Sequence, residues 1–309
     1  MSRLEMSIAA VCAVGLAQLA QPARGADSSF EKRMAADPRG VVEVSNIAGT
    51  IEVSAWDNPE VEIRAELGGG VDHIDTTSYP GRTSIKVVVP NHTFHSASAD
   101  LHIHVPRQSE LDISGVSADV TTADVEGSLQ LKTVSGNVKA DVFDKNTEIK
   151  TFSGDVVLRG HTKEPGAMLH VTSISGNIRV DRAAGDVDAT SVSGDITVRL
   201  DSTHPTRVVR VRTTSGDLGF EGRVLKGGYV DAETVSGDLT VRVVPEGGLA
   251  YEVNTFSGDI TNCMGAESER VSKYGPGHRL TGSKGQSGSD GVRVRLKTMS
   301  GDVELCDKN

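Results

Sequence analysis

The sequence predicts an all-β protein: a β-solenoid of about 20-residue coils with Ser-Gly-Asp corners, preceded by an N-terminal β-rich cap. Three observations carry that reading. A short pattern of hydroxyl, apolar, Ser, Gly, Asp or Asn, apolar returns through the second half of the chain. Around each copy apolar and polar residues alternate with a period of two, the signature of half-buried strands. Beyond the N-terminal segment no stretch holds the 3.6-residue apolar period of an amphipathic helix.

The elements follow in chain order. Residues 1–25 read as a secretory signal, with Arg3 in a short leading region, an apolar core from Ile8 to Ala20, and small residues Ala23 and Gly25 before a cleavage point near residue 25. That core falls short of the roughly 18 residues a spanning helix needs, so no transmembrane segment is expected in the mature chain. Cys12 lies inside the apolar core rather than after it, which argues against lipidation. The expected destination is the periplasm or the exterior. Loss of the signal leaves Cys263 and Cys306, an even number suited to an oxidising compartment.

Residues 26–116 form the expected cap. Val42 and Val44, Ile51 and Val53, Val61 and Ile63, Ile85 to Val89, and Leu101, Ile103 and Val105 alternate or run apolar between Gly, Pro and Asn breaks. The repeats occupy 117–309. Their serines stand at 117, 135, 153, 175, 193, 215, 236, 257 and 300, at intervals of 18 to 22 residues until a final gap of 43. Four residues before each Gly-flanked serine, and three after it, every side chain is apolar. Gly supplies the backbone freedom of the corner, and the Asp or Asn beside it is expected to cap its own turn.

Six residues after successive serines stand Asp141, Arg159, Asp181, Arg199, Glu221, Arg242, Cys263 and Cys306. Opposite charges alternate and then two cysteines meet, as coils stacked in register at about 4.8 Å require. The spacing therefore predicts a Cys263–Cys306 disulfide between adjacent coils. The 43-residue interval is one coil plus a Gly-rich inserted loop at about 264–291, and Arg270, Lys273, His278, Arg279 and Lys284 give that loop a basic bias. It is the candidate contact loop, suited to an anionic envelope partner.

Composition excludes other classes. With Lys+Arg 32 against Asp+Glu 42 and no basic run, the chain lacks the clustered cations that nucleic-acid binding needs. The corner column of Asp and Asn invites a Ca2+ reading, but two Asn interrupt it and the paired-glycine nonapeptide of calcium-binding β-rolls is missing, so no cofactor or metal is expected. His92, His95, His102 and His104 form the one histidine cluster, and His102 and His104 share a strand face expected to be solvated and without a paired carboxylate. The serines sit at repeated corners rather than at one strained elbow, which leaves no triad to single out.

Three stretches carry a family resemblance. The segment from Asn46 through Ile47, Gly49, Ile51 and Val53 to Trp56 and Asp57, the segment Ala99 to Pro106, and the serial Val-Ser-Gly-Asp copies together resemble the bacterial putative-adhesin β-repeat family of exported envelope proteins, over nearly all of residues 40–306. The resemblance implies an envelope location and no enzymatic activity, and it supplies no catalytic residues. The expected function is a non-enzymatic surface for adhesion or interaction, with an envelope protein or glycan as partner. The alternative is a glycan-active β-helix hydrolase or lyase using carboxylates on one face. Such an enzyme needs two carboxylates in unlike environments, whereas a repeated turn column makes them alike.

Overall fold

The computed structural model describes residues 29–90, 97–161, 166–200, 203, 205–272, 276–285 and 291–307, so the expected signal segment lies outside the described residues. The regular elements among them are all strands. None is a helix long and apolar enough to cross a membrane.

The alternation at each repeat builds two strands joined at the Ser-Gly-Asp corner, one approaching it and one leaving it. The approach strands Glu110–Ala123, Leu129–Ser135, Thr147–Ser153, Met168–Ser175, Asp186–Thr190 and Thr206–Ser215 pair in parallel, each with the next, and serine meets serine along the line. The exit strands Val138–Val142, Val156–Gly160, Ile178–Ala183, Ile196–Leu200 and the start of Leu218–Ser236 form a second parallel ladder. Inward residues from both ladders share one core. Leu131, Ile149 and Val171 come from the approach side, Val138, Val156 and Ile178 from the exit side, and all are buried. Burial of each such side chain contributes about 1.5–3 kcal/mol. Buried threonines two residues before the corner serine add a second lock: Thr213, Thr234 and Thr298 donate their hydroxyls to the carbonyls of Gly194, Gly216 and Gly237 in the neighbouring turn.

Parallel register extends past the repeated motif at the N-terminal side. Strand Val41–Trp56 lies against Glu110–Ala123 on one side, and against Arg82–Val88 and Ala99–Pro106 on the other. Antiparallel strands then cover that end: His73–Tyr79 on Arg82–Val88, Glu60–Leu67 on Ala99–Pro106, and Ser29–Ala35 outermost. Covering an open strand edge in this way blocks unwanted pairing.

At the other end, order in space departs from order in sequence. Strand Val292–Ser300 lies between the later half of Leu218–Ser236 and Leu249–Ser257, and Val303–Asp307 lies between Leu239–Pro245 and Ile260–Asn262. The last turn of the chain is thus inserted between the two turns expected to be neighbours. Any turn carrying the same corner chemistry fits any other, so the motif sets what stacks but not the sequence in which it stacks.

Candidate functional site

The Ser-Gly-Asp corners form one long edge, and its chemistry is set by the alternation. Residues four and two before each serine point inward, so the residue just before the serine must point out. Those residues are Val116, Val134, Phe152, Ile174, Val192, Thr214, Val235, Met299 and Phe256, given in spatial order from the paired serines. Apart from Thr214 each is a large apolar side chain 41–59% exposed. Eight of the eleven exposed large hydrophobics among the described residues fall on this one line. At about 4.8 Å per step the column runs about 38 Å. Exposed apolar residues scattered singly are ordinary, whereas a contiguous row marks an interaction surface.

Beside the apolar column runs the Asp and Asn column. Each side chain accepts through Oδ1 a hydrogen bond from the backbone amide of the corresponding residue in the next turn. Asn177 N donates to Asp155 at 2.8 Å, Asp195 N to Asn177 at 2.9 Å, Asp217 N to Asp195 at 2.9 Å and Asp238 N to Asp217 at 2.8 Å. The chain continues through the inserted turn, with Asp302 N donating to Asp238 and Asp259 N to Asp302, both at 2.8 Å. The sequence predicts that each of these residues caps its own turn; each instead caps its neighbour's. Local turn logic misses this because the acceptor serves a residue about twenty positions away. Asn fills the role as well as Asp, since only a carbonyl-type oxygen is used.

The glycine between them is required twice over at Gly216. Its φ is +140°, and a Cβ there would stand 2.3 Å from the Gly194 carbonyl oxygen of the adjoining turn. On the other flank of the apolar column, two residues earlier on the same outward face, stand four cations, Lys132, Lys150, Arg212 and Lys297, with Glu233 and the uncharged Ser114, Thr172, Thr190 and Asn254 at the other levels. Lys150 pairs with Glu148 at 2.5 Å and Lys297 with Glu233 at 2.8 Å, and these bonds hold both carboxyls below the usual carboxylate range.

Cys263 and Cys306 are disulfide-bonded, with Cα atoms 4.8 Å apart, Cys306 in strand Val303–Asp307 and Cys263 in the turn just after Ile260–Asn262. The alternating charge column keeps its register from Asp141 to Arg242, but its next member is Cys306, with Cys263 beyond. Several of these charges find closer partners to the side than along the column: Asp141 with His161 at 3.1 Å, Asp181 with Arg179 at 2.6 Å and Arg242 with Glu304 at 3.0 Å.

The basic segment is not a plain loop. Glu269–Arg270 and His278–Lys284 pair as an antiparallel hairpin, and His278–Lys284 runs antiparallel along Leu249–Ser257 with Leu280 buried. Arg270 lies opposite His278 across the hairpin. Arg279 donates to Asn254 Oδ1 at 2.8 Å and Lys284 pairs with Asp307. Two of the five candidate cations thus hold the end of the stack together, and Lys273 lies outside the described residues.

His92 and His95 also lie outside them. His102 and His104 do have carboxylate neighbours, contrary to the sequence expectation. His102 Nδ1 is 2.9 Å from Glu52, and His104 Nε2 is 3.9 Å from the buried Glu62 while its ring stacks on Trp56 at 5.4 Å. Glu52 and Glu62 come from different strands, so the pairing could not be read from either alone. Among the described residues no group of three or more His, Cys, Asp or Glu is placed to hold a metal ion.

A family model described as Toastrack DUF4097 matches residues 39–199, 145–221 and 183–306. The chain belongs to that family. No curated protein matches the Toastrack chain. Among solved structures it is similar to a putative adhesin of Parabacteroides merdae, at 11% identity over 91% of this chain and 97% of that one with a TM-score of 0.47. A putative adhesin of Bacteroides fragilis matches at 12% identity over 91% and 98%, TM-score 0.43. A protein of Parabacteroides distasonis described as lipid-binding matches at 12% over 91% and 98%, TM-score 0.40. The family assignment rests on the sequence match.

Proposed function

We propose that this Toastrack protein is an exported, non-enzymatic β-solenoid of the cell envelope whose corner edge is a docking surface for another envelope component, protein or glycan. The observation that carries the reading is the row of exposed apolar side chains along the corners, interrupted only at Thr214. A chain that places its other large apolar residues almost wholly in the core keeps these outside, at a solvation cost that a partner would relieve. The signal-like residues 1–25 and the disulfide fit an oxidising compartment.

The corner carboxylates support a structural role over a glycosidase or a cation site. Glycoside hydrolysis needs two carboxyls in unlike environments, and these repeat one environment turn after turn, with Oδ1 committed to a backbone amide. The same commitment leaves Oδ2 as the uncommitted oxygen of each Asp and none on the Asn members, which supplies fewer ligands than the roughly six to eight oxygens Ca2+ takes. The test is capture from envelope extract by the intact protein and by Phe152→Asp with Val192→Asp, both at exposed positions. Loss of the captured component with an unchanged melting temperature is the expected result. Turnover of an envelope or plant polysaccharide, abolished by changing one or two carboxylates, would overturn the reading.

A further inference from the structure

The edge carries enough geometry to name a partner, an inference that rests on its being a docking surface. We propose that a second copy of this chain docks along it, the two stacks side by side and parallel, related by a twofold axis that runs along the apolar column.

The repeat length is the first argument. The apolar residues recur once per strand spacing, about 4.8 Å, whereas an α-helix offers one turn every 5.4 Å and an extended strand one side every 6.8 Å or so. Over eight steps a helix drifts by about 5 Å, a full turn of the stack out of phase. Another stack of strands keeps every level in phase, and a second copy has the same spacing at each level.

Charge fixes the orientation. The acidic column lies on one flank of the apolar row and the basic column on the other. A twofold axis along the row sets each acidic column against the partner's basic one at the same level. Lys150 then meets Asp155, Arg212 meets Asp217 and Lys297 meets Asp302, while Lys132 meets Asn137. At four further levels the facing residue is uncharged, Ser114, Thr172, Thr190 or Asn254, and one level is mismatched, Glu233 against Asp238. The antiparallel alternative, with the axis across the row, lays Asp on Asp along the whole edge, at a cost that grows with each close like pair. An anionic membrane surface meets the same acidic column and is disfavoured for the same reason.

Area is the third argument. From the basic column to the acidic one spans about 16 Å of surface, so a strip 38 Å long offers roughly 600 Å2 per partner, the lower end of specific interfaces. Phe152 and Phe256 each face their own counterpart across the axis, a favourable aromatic pairing.

The proposal is tested on the purified full chain. Light scattering across a concentration series should show the mass doubling, and Phe152→Asp should weaken the association at least tenfold without lowering the melting temperature. Orientation is read from single cysteines at the second and eighth of the nine levels. In the parallel dimer Val134→Cys alone and Met299→Cys alone each form a covalent dimer under oxidation. Cross-linking only in a mixture of the two variants would mean an antiparallel pair and overturn the proposal. So would a monomeric mass at every concentration, and if Phe152→Asp then still abolished capture from envelope extract, the docking surface would stand with a different occupant. A dimer lost in Phe152→Asp with capture unchanged would instead uphold self-pairing and remove the proposed envelope function.

Discussion

The middle of the stack and its C-terminal end are built from the same motif and obey different rules of order. From Glu110 to Pro245 each turn lies on the turn before it in sequence, so reading a column down the repeats is reading it down the molecule. After Pro245 the chain lays down Leu249–Asn262, doubles back through the antiparallel strand His278–Lys284, and inserts its last turn beneath the one already made. The N-terminal end repeats the device, with Val41–Trp56 held between Glu110–Ala123 and the later strands Arg82–Val88 and Ala99–Pro106. The difference teaches that interleaving ties an end down. A terminal turn in a simple stack has one neighbour and frays. An inserted turn has two, so the end cannot open by peeling away its last residues.

Removing residues 291–309 breaks the comparison most severely. In a simple stack that deletion trims an end, whereas here it strips Leu249–Asn262 of its parallel neighbour. Five buried side chains go with it, Val292, Val294, Leu296, Val303 and Leu305, a gross burial of roughly 8–15 kcal/mol. Hydrogen exchange should show protection lost through 249–285 and kept through 129–224.

In the middle, Gly216→Val should cost about 3–5 kcal/mol, since it combines a positive φ with a Cβ overlapping the next turn's backbone. A denaturant midpoint within error of wild type would show that the corner relaxes. Cys263→Ser with Cys306→Ser should cost about 3–4 kcal/mol from loop-closure entropy, confined to the C-terminal turns. Exchange that rises uniformly over the stack would contradict that local placement.

Asp217→Asn should change stability by no more than about 0.5 kcal/mol, because the amide oxygen accepts the Asp238 amide equally well. Asp217→Ala should cost about 1 kcal/mol more, as the same donor is then unpaired. Thermal melts of the two variants separate the effects.

The smallest effect sharpens the contrast between regions. The bond from Lys297 holds the Glu233 carboxyl low and links the inserted strand to its neighbour, whereas the Lys150 bond to Glu148 stays within one strand. Because both carboxyls are depressed, their contribution is fully present above the unfolded carboxylate pKa and is lost as pH falls through the folded value. Acid should therefore loosen the inserted strand by a few tenths of a kcal/mol, as expected for an exposed pair. Lys297→Met should remove the extra acid sensitivity of exchange at 292–300, and Lys150→Met should leave it unchanged.

The sequence by itself determined the strands and the disulfide, because each follows from a local period. Alternation decides which side chains face in, Gly-Asp decides where the chain bends, and a shared offset of six from the serine places Cys263 beside Cys306 whichever turn lies above. The outward apolar row went unread in the sequence, although its signal is there: Val134, Phe152 and Val192 stand one residue out of phase with the buried positions. Only the tertiary structure decided the order of the turns at the ends, the hairpin inside 264–291, the carboxylates beside His102 and His104, and the turn that each Asp caps. Apart from the hairpin, whose strands pair eight to ten positions apart, these depend on contacts between residues about twenty to seventy positions apart. A motif that is equivalent in every copy cannot specify which copy it meets, so that choice fell to the connecting segments and to the pairs Glu233–Lys297 and Arg242–Glu304 that seat the last turn.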